Sequence, residues 1–150
     1  MSATLSLVTQ QPNSEEFMDA RRPGFCWQDN ELYDVYQPII GAHGVVLYAN
    51  LSRKAHGDEC SYSLRILAAE TGLDVVTIQR LLAMLATIGM VRMTSGVCGS
   101  VDGTLDLVDL KDLAEAHGAQ PVQNRRSHVL SAERAEELRR QCEALMQARS

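Results

Sequence analysis

Between Leu64 and Met90 the chain reads LRILAAETGLDVVTIQRLLAMLATIGM, two apolar helical repeats separated by a glycine corner. That spacing constrains the fold more than any other stretch. Leu64, Leu67 and Ala68 recur at helical intervals and turn one face of a first helix inward. Gly72 is suited to end it, because a residue without a Cβ enters a left-handed turn without a clash. Leu73 fills the corner, and Asp74 is placed to cap a second helix by accepting from an early amide. Ile78, Leu81, Leu82, Leu85 and Ile88 form that helix's buried stripe, Gly89 closes it, and Met90 to Met93 runs on as a strand. The pattern is helix, tight turn, helix, strand.

The flanking segments supply the remainder of a small domain. Gly44 to His56 reads as a helix, preceded by a shorter one over Glu31 to Ile40 that ends near Pro38 to Gly41. The run GDECSYS is a turn and a short strand leading into the corner motif. After Met93, a glycine- and serine-rich loop separates two strands, the second alternating over Thr104 to Val108, as in a wing. The expected fold is mostly α: a winged helix-turn-helix with a three-helix core and a small β-wing, flanked by an N-terminal arm and a C-terminal helix. The boundaries follow as arm 1–28, winged-helix domain 29–118, linker 119–130 and C-terminal helix 131–150. Phe17, Met18, Phe25 and Trp27 are the arm's expected anchors, and Leu5, Leu7 and Val8 hint at a strand. Leu110 to His117 is read as a short helix stopped by Gly118, and Ser131 as the cap of the last helix.

The features Leu32-Tyr33, Tyr36, Pro38, Ile40-Gly41, Gly44-Val45 and Tyr48 precede Gly57-Asp58. Gly72-Leu73, Thr77-Ile78, Leu81, Leu85 and Gly89-Met90-Val91 follow it. Together, over roughly residues 30 to 110, they resemble the winged-helix domains of phage and plasmid replication-organiser proteins, including DnaD-like replication initiation proteins. The resemblance implies a DNA-binding, often self-associating module in replication initiation or transcriptional regulation. Winged-helix regulators in general share its second half.

In a helix-turn-helix the second helix enters the major groove and its outward N-terminal residues meet base edges. With the buried stripe removed, Val75, Val76, Gln79, Arg80, Ala83 and Met84 lie outward, with Thr77 at the rim. Arg80 suits a phosphate or guanine, Gln79 an adenine edge, Val75 and Val76 thymine methyls, and Thr77 a phosphate. Arg65 is the base placed to join Arg80 on that face. Charge argues against this interface. Between Asp29 and Leu110 the bases are Arg53, Lys54, Arg65, Arg80 and Arg92 alone, set against twice as many acids. Lys and Arg contacts to phosphate supply most of the general affinity for a duplex. The alternative is a winged helix that has lost DNA binding and serves as a protein-interaction adaptor in a larger complex.

A face this poor in cations gains from duplication. The last helix offers a seam, with Ala135, Leu138, Cys142 and Leu145 spaced three, four and three, so a homodimer through these residues is expected. The expected partners are double-stranded DNA, a second copy, and another protein of a replication or regulatory complex. Catalysis is not expected. His43, His56, His117 and His128 are scattered, His56 to Cys60 matches no ligand spacing, and no phosphate loop or nucleophile elbow occurs. Cys26, Cys60, Cys98 and Cys142 lie too far apart in sequence for a zinc motif and are expected as free thiols, so neither metal nor cofactor is expected. No run is apolar enough for a membrane span, and Met1 to Gln11 lacks the basic start and hydrophobic run of a signal peptide. A cytoplasmic protein is expected. Arg125-Arg126 reads as a solvated basic pair in the linker.

Overall fold

The computed structural model describes residues 28–95, 102–122 and 128–147. The expected anchors Phe17, Met18, Phe25 and Trp27, the strand hint at Leu5 to Val8, the tip of the glycine-rich loop, Cys26, Cys98 and Arg125-Arg126 lie outside the described residues.

Helix formation starts at a π-helical turn, Leu32–Tyr36, where the Gln37 amide donates to the Leu32 carbonyl. It continues into α1 (Gln37–Lys54), with Pro38 near its start, where a missing N–H costs nothing. Gly41 interrupts α1 at φ 80 and ψ 173, a backbone state that a Cβ disfavours. The break is tight. A Cβ at Gly44 would lie 2.9 Å from that of Ile40, so both glycines are needed for the chain to double back here. The two helices expected on either side of Gly41 are thus present, and they meet at a kink there.

From there the order is β1 (Glu59–Ser63), α2 (Leu64–Thr71), α3 (Val75–Ile88), β2 (Val91–Ser95) and β3 (Asp102–Leu107). The three strands form an antiparallel sheet in the order β1-β3-β2. Leu105 at its centre pairs with Cys60 on one side and Met93 on the other. Cys60, Tyr62, Val91 and Leu105 turn into the same core as Leu47 and Leu51 of α1 and Leu82 and Leu85 of α3. The expected mostly helical chain with a small sheet is therefore observed. Among the described residues no single helix is long and apolar enough to cross a membrane.

The C-terminal third departs from expectation. α4 (Leu110–Ala116) is followed by a two-strand ladder, β4 (Gln120–Pro121) with β5 (His128–Val129), and then by α5 (Ala132–Gln147). The described parts of the expected linker 119–130 are ordered against the domain: Ala119 is buried, Gln120 and Pro121 pair with Val129 and His128, and Leu130 packs against the core. Ser131 does cap α5, accepting from the Arg134 amide at 3.2 Å. The helix then lies across α1 and α3 of its own chain. Leu138 and Cys142, each 2% exposed, join the common core, while Ala135 and Leu145 are half-buried.

The seam expected to bind a twin helix is thus filled from within. The physical reason is proximity: α1 and α3 offer an apolar cleft on the same chain, and docking there needs no second molecule. Cys60 and Cys142 are buried free thiols, and burial pushes the Cys142 thiol up to about 11.

This placement sets an expected outcome. Leu138→Ala should lower the stability of the whole domain by about 2–5 kcal/mol in urea unfolding, as a core truncation does. If the variant unfolded at the native midpoint, α5 would stand apart from the core.

Candidate nucleic-acid interface

The corner between α2 and α3 is built by local hydrogen bonds. α2 ends at Gly72, whose φ of 77 is left-handed and whose amide donates to Ala68. Thr71 Oγ1 donates back to the Leu67 carbonyl at 2.7 Å and accepts from the Leu73 amide at 3.3 Å. Asp74 then caps α3, accepting from the Thr77 amide at 2.7 Å. That hydrogen bonding holds the Asp74 carboxyl below the usual carboxylate range. The axes of α2 and α3 meet at 102°. α3 closes with Gly89 donating to Ala86 and Met90 donating to Leu85, the paired closure in which a left-handed glycine satisfies the last carbonyls. These are the caps and stops expected from the sequence.

The corner exposes the N-terminal end of α3. Val75 and Val76 are 36% and 53% exposed, and Arg65 is exposed at the start of α2, beside Ile66. Thr77 and Gln79 are half-buried at the edge. Val75, Val76, Thr77 and Gln79 are therefore at least partly exposed along the first turns of α3, and Arg65 is exposed at the opposite end of α2 from the corner.

Arg80 is the exception. Its Nη1 donates to the Met146 carbonyl of α5 at 3.3 Å, and its Nε is buried with no acceptor among the described residues. Met84, also expected outward, is 1% exposed. Residues four apart share one flank of a helix, and α5 covers the flank that Arg80 and Met84 share. No local pattern signals that cover, because the Arg80–Met146 contact joins positions 66 apart along the chain.

The other cations near this face are engaged. Lys54 Nζ lies 2.7 Å from Glu70 Oε2, and Asn50 donates to the other oxygen of the same carboxylate at 3.0 Å. Those two side chains, Lys54 first, hold the Glu70 carboxyl below its ordinary value. Arg53 donates to Asn50 Oδ1 at 2.9 Å. On the sheet, Arg92 pairs with Asp106 at 3.0 Å, across the β2–β3 ladder. Next to it, Thr94, Ser95 and Thr104 share hydroxyl hydrogen bonds where a bulge shifts the register between Met93 and Ser95. Among the described residues, no cluster of His, Cys, Asp and Glu could hold a metal ion.

Comparisons with protein-family models, curated proteins and solved structures find no match to this chain.

The Asp74 cap carries a pH signature. A carboxyl depressed in the fold stabilises α3 above its ordinary value of 3.8, and that contribution is lost as pH falls through the lower folded value. Thermal unfolding of Asp74→Ala should therefore match wild type more closely at the acid end than at neutral pH. An equal deficit at every pH would mean that the carboxylate charge is irrelevant to the cap.

Proposed function

We propose that residues 29–118 form a winged helix-turn-helix domain that binds double-stranded DNA in the cytoplasm, in replication initiation or transcriptional regulation. The supporting observation is the element order. Helix, strand, helix, three-residue corner, helix and two further strands follow one another, with the last strand in the centre of the sheet. In this reading α3 is the recognition helix, β2 and β3 are the stem of the wing, and the resemblance to replication-organiser proteins applies to this unit.

Val75, Val76 and Gln79 would meet base edges, and Arg65 and the Thr77 hydroxyl would meet phosphates. Arg80 is left out, because it is committed to α5. With Lys54 and Arg92 paired to carboxylates, little positive charge remains for the duplex backbone. Affinity would then rest on shape and on a few base contacts, and two copies on neighbouring half-sites would strengthen it.

A second reading is favoured by one observation. Ile66, Val75 and Val76 are exposed apolar side chains at the start of α2 and α3, while Lys54 is paired with Glu70 and Arg80 is turned to the Met146 carbonyl. Such a surface suits a protein partner better than phosphate, so the adaptor function is the alternative.

Fluorescence-anisotropy titration with random duplex fragments separates the two. Under the DNA reading, Gln79→Ala should lose about 1–3 kcal/mol if it makes a bidentate base contact. Arg65→Ala should reduce the already shallow slope of log affinity against log salt by about one. Arg80→Met should leave affinity unchanged. Absence of binding to any duplex at low salt would overturn the DNA reading and leave the adaptor.

A further inference from the structure

Among the described residues, Glu31 is the one charged side chain with no exposure at all. It sits immediately before the π-helical turn, and its Oε2 lies 2.9 Å from His128 Nδ1 on β5. Its other oxygen, Oε1, is buried and has no hydrogen-bond partner among the described residues. The far side of the same imidazole faces a second acid: His128 Nε2 lies 3.3 Å from Glu115 Oε2 on α4. His128 is 14% exposed and Glu115 63%, so the inner half of this triad is dry and the outer half meets water.

Both ring nitrogens thus face carboxylate oxygens. An ionised carboxylate only accepts hydrogen bonds, and a neutral imidazole has one N–H to give. Only the doubly protonated ring can donate on both sides. Removing its proton sets a nitrogen lone pair against a carboxylate and leaves a buried acid without its cation, an arrangement that is strongly unfavourable.

We propose that Glu31, His128 and Glu115 form a proton-operated clasp, holding the β4–β5 ladder and the lead into α5 against the start of the helical domain. When the imidazolium loses its proton, β5 lifts and Glu31 gains water. The lead is short, since only Leu130 and the capping Ser131 separate β5 from α5. Opening therefore frees the segment that leads into α5, the helix that covers Arg80 and Met84, while Arg134 and Leu138 keep the helix itself docked.

The surroundings agree with this assignment. The hydrogen bond to Glu31 is the main cause that lifts His128 above 6.5; burial opposes it, and Glu115 adds to it. Beyond the triad, Asp29 stands beside Glu31 and Asp109, with Lys111 the opposing charge, and its own carboxyl is pushed up by burial and by those two acids. The next imidazole behaves oppositely. His117, hydrogen-bonded to the Tyr36 hydroxyl at 2.9 Å, is pushed down by burial and by Arg134. A raised folded value means that the clasp is fully closed below the ordinary histidine range and opens as pH rises through the folded value.

The test uses the full chain. Histidine ring resonances, assigned with His117→Gln and His128→Gln, give the midpoint of His128. Hydrogen exchange at the β5 amides, corrected for intrinsic rate, gives the opening. The expected result is a His128 midpoint above 6.5, with β5 protection falling across it. The loss can reach about tenfold for each unit that separates the closed and open midpoints. Glu31→Gln should abolish the step. Because that buried substitution can disturb folding, Glu115→Gln on the exposed side provides the second variant: it should keep the fold and lower the midpoint part-way. A midpoint at or below 6.5 would overturn the clasp. So would β5 protection that stays level after His128 has titrated, which would leave a static ion pair.

Discussion

Two flanks of α3 are buried at once, and the rest of the molecule is arranged around that requirement. Ile78, Leu81, Leu82, Leu85 and Ile88 face α1, α2 and the sheet, while Met84 faces α5. A buried side chain of this size contributes roughly 1.5–3 kcal/mol relative to leaving it in water, so the stripe dominates any single polar contact at the surface. With Met84 included, a helix that would serve a simpler domain with one apolar stripe needs a second cover. α5 supplies it through Leu138 and Cys142, although its other faces are highly charged. The strip of α3 that stays open is correspondingly narrow, running from Val75 and Val76 toward Thr87.

That narrowness bears on chemistry. A duplex is held mainly through its phosphates, and the electrostatic part of binding grows with the number of cations that reach them. Here Lys54 is held by Glu70, Arg92 by Asp106, and Arg80 by the C-terminal end of α5. The first two pairs are partly exposed and weak, so a phosphate could compete for either cation. Arg80 differs, because its Nε is already buried and withdrawing the side chain would disturb α5. An interface at this corner would therefore draw mainly on side chains that touch base edges or another apolar surface, with few cations such as Arg65 for the phosphates. The acidic balance of the domain and the uncharged face of α3 are two aspects of one property.

The parts of this architecture that could be read from the sequence are those fixed by neighbours within four or five residues. Asp74 as a cap, Gly72 and Gly89 as stops, and the period of the α3 stripe all depend on local geometry, and each is where the pattern puts it. The strand positions follow similarly from alternation around Leu105. The orientation of the last helix was not legible. Ala135, Leu138, Cys142 and Leu145 describe an apolar seam, and a seam does not state whether a twin or its own domain will fill it. Arg80 was misplaced for the same reason. Its outward position on α3 is correct as helix geometry, but the surface there is already occupied by residues near 146. The Glu31–His128 contact joins positions 97 apart, and neither residue belongs to a motif that would suggest the other.

The bend at Gly41 shows how these long-range contacts support one another. A broken helix leaves carbonyls without intrahelical donors, and the segment ahead of the break must find others. Arg139 of α5 supplies one, its Nε donating to the Pro38 carbonyl at 3.1 Å, while its other side reaches Glu136 on its own helix. The apolar walls of the same junction, Ile39, Ile40, Met84 and Met146, line a cavity of about 290 Å³ between the bend, α3 and the end of α5. One helix thus satisfies a backbone acceptor exposed by the bend and covers the second flank of α3. A straight α1 would carry residues 32–40 along the axis of 42–54 and away from α5, removing the Arg139–Pro38 bond and the Ile39 and Ile40 wall of that junction. The bend, the docking of α5 and the closed flank of α3 are for that reason a single structural decision, made where Gly41 permits the chain to turn.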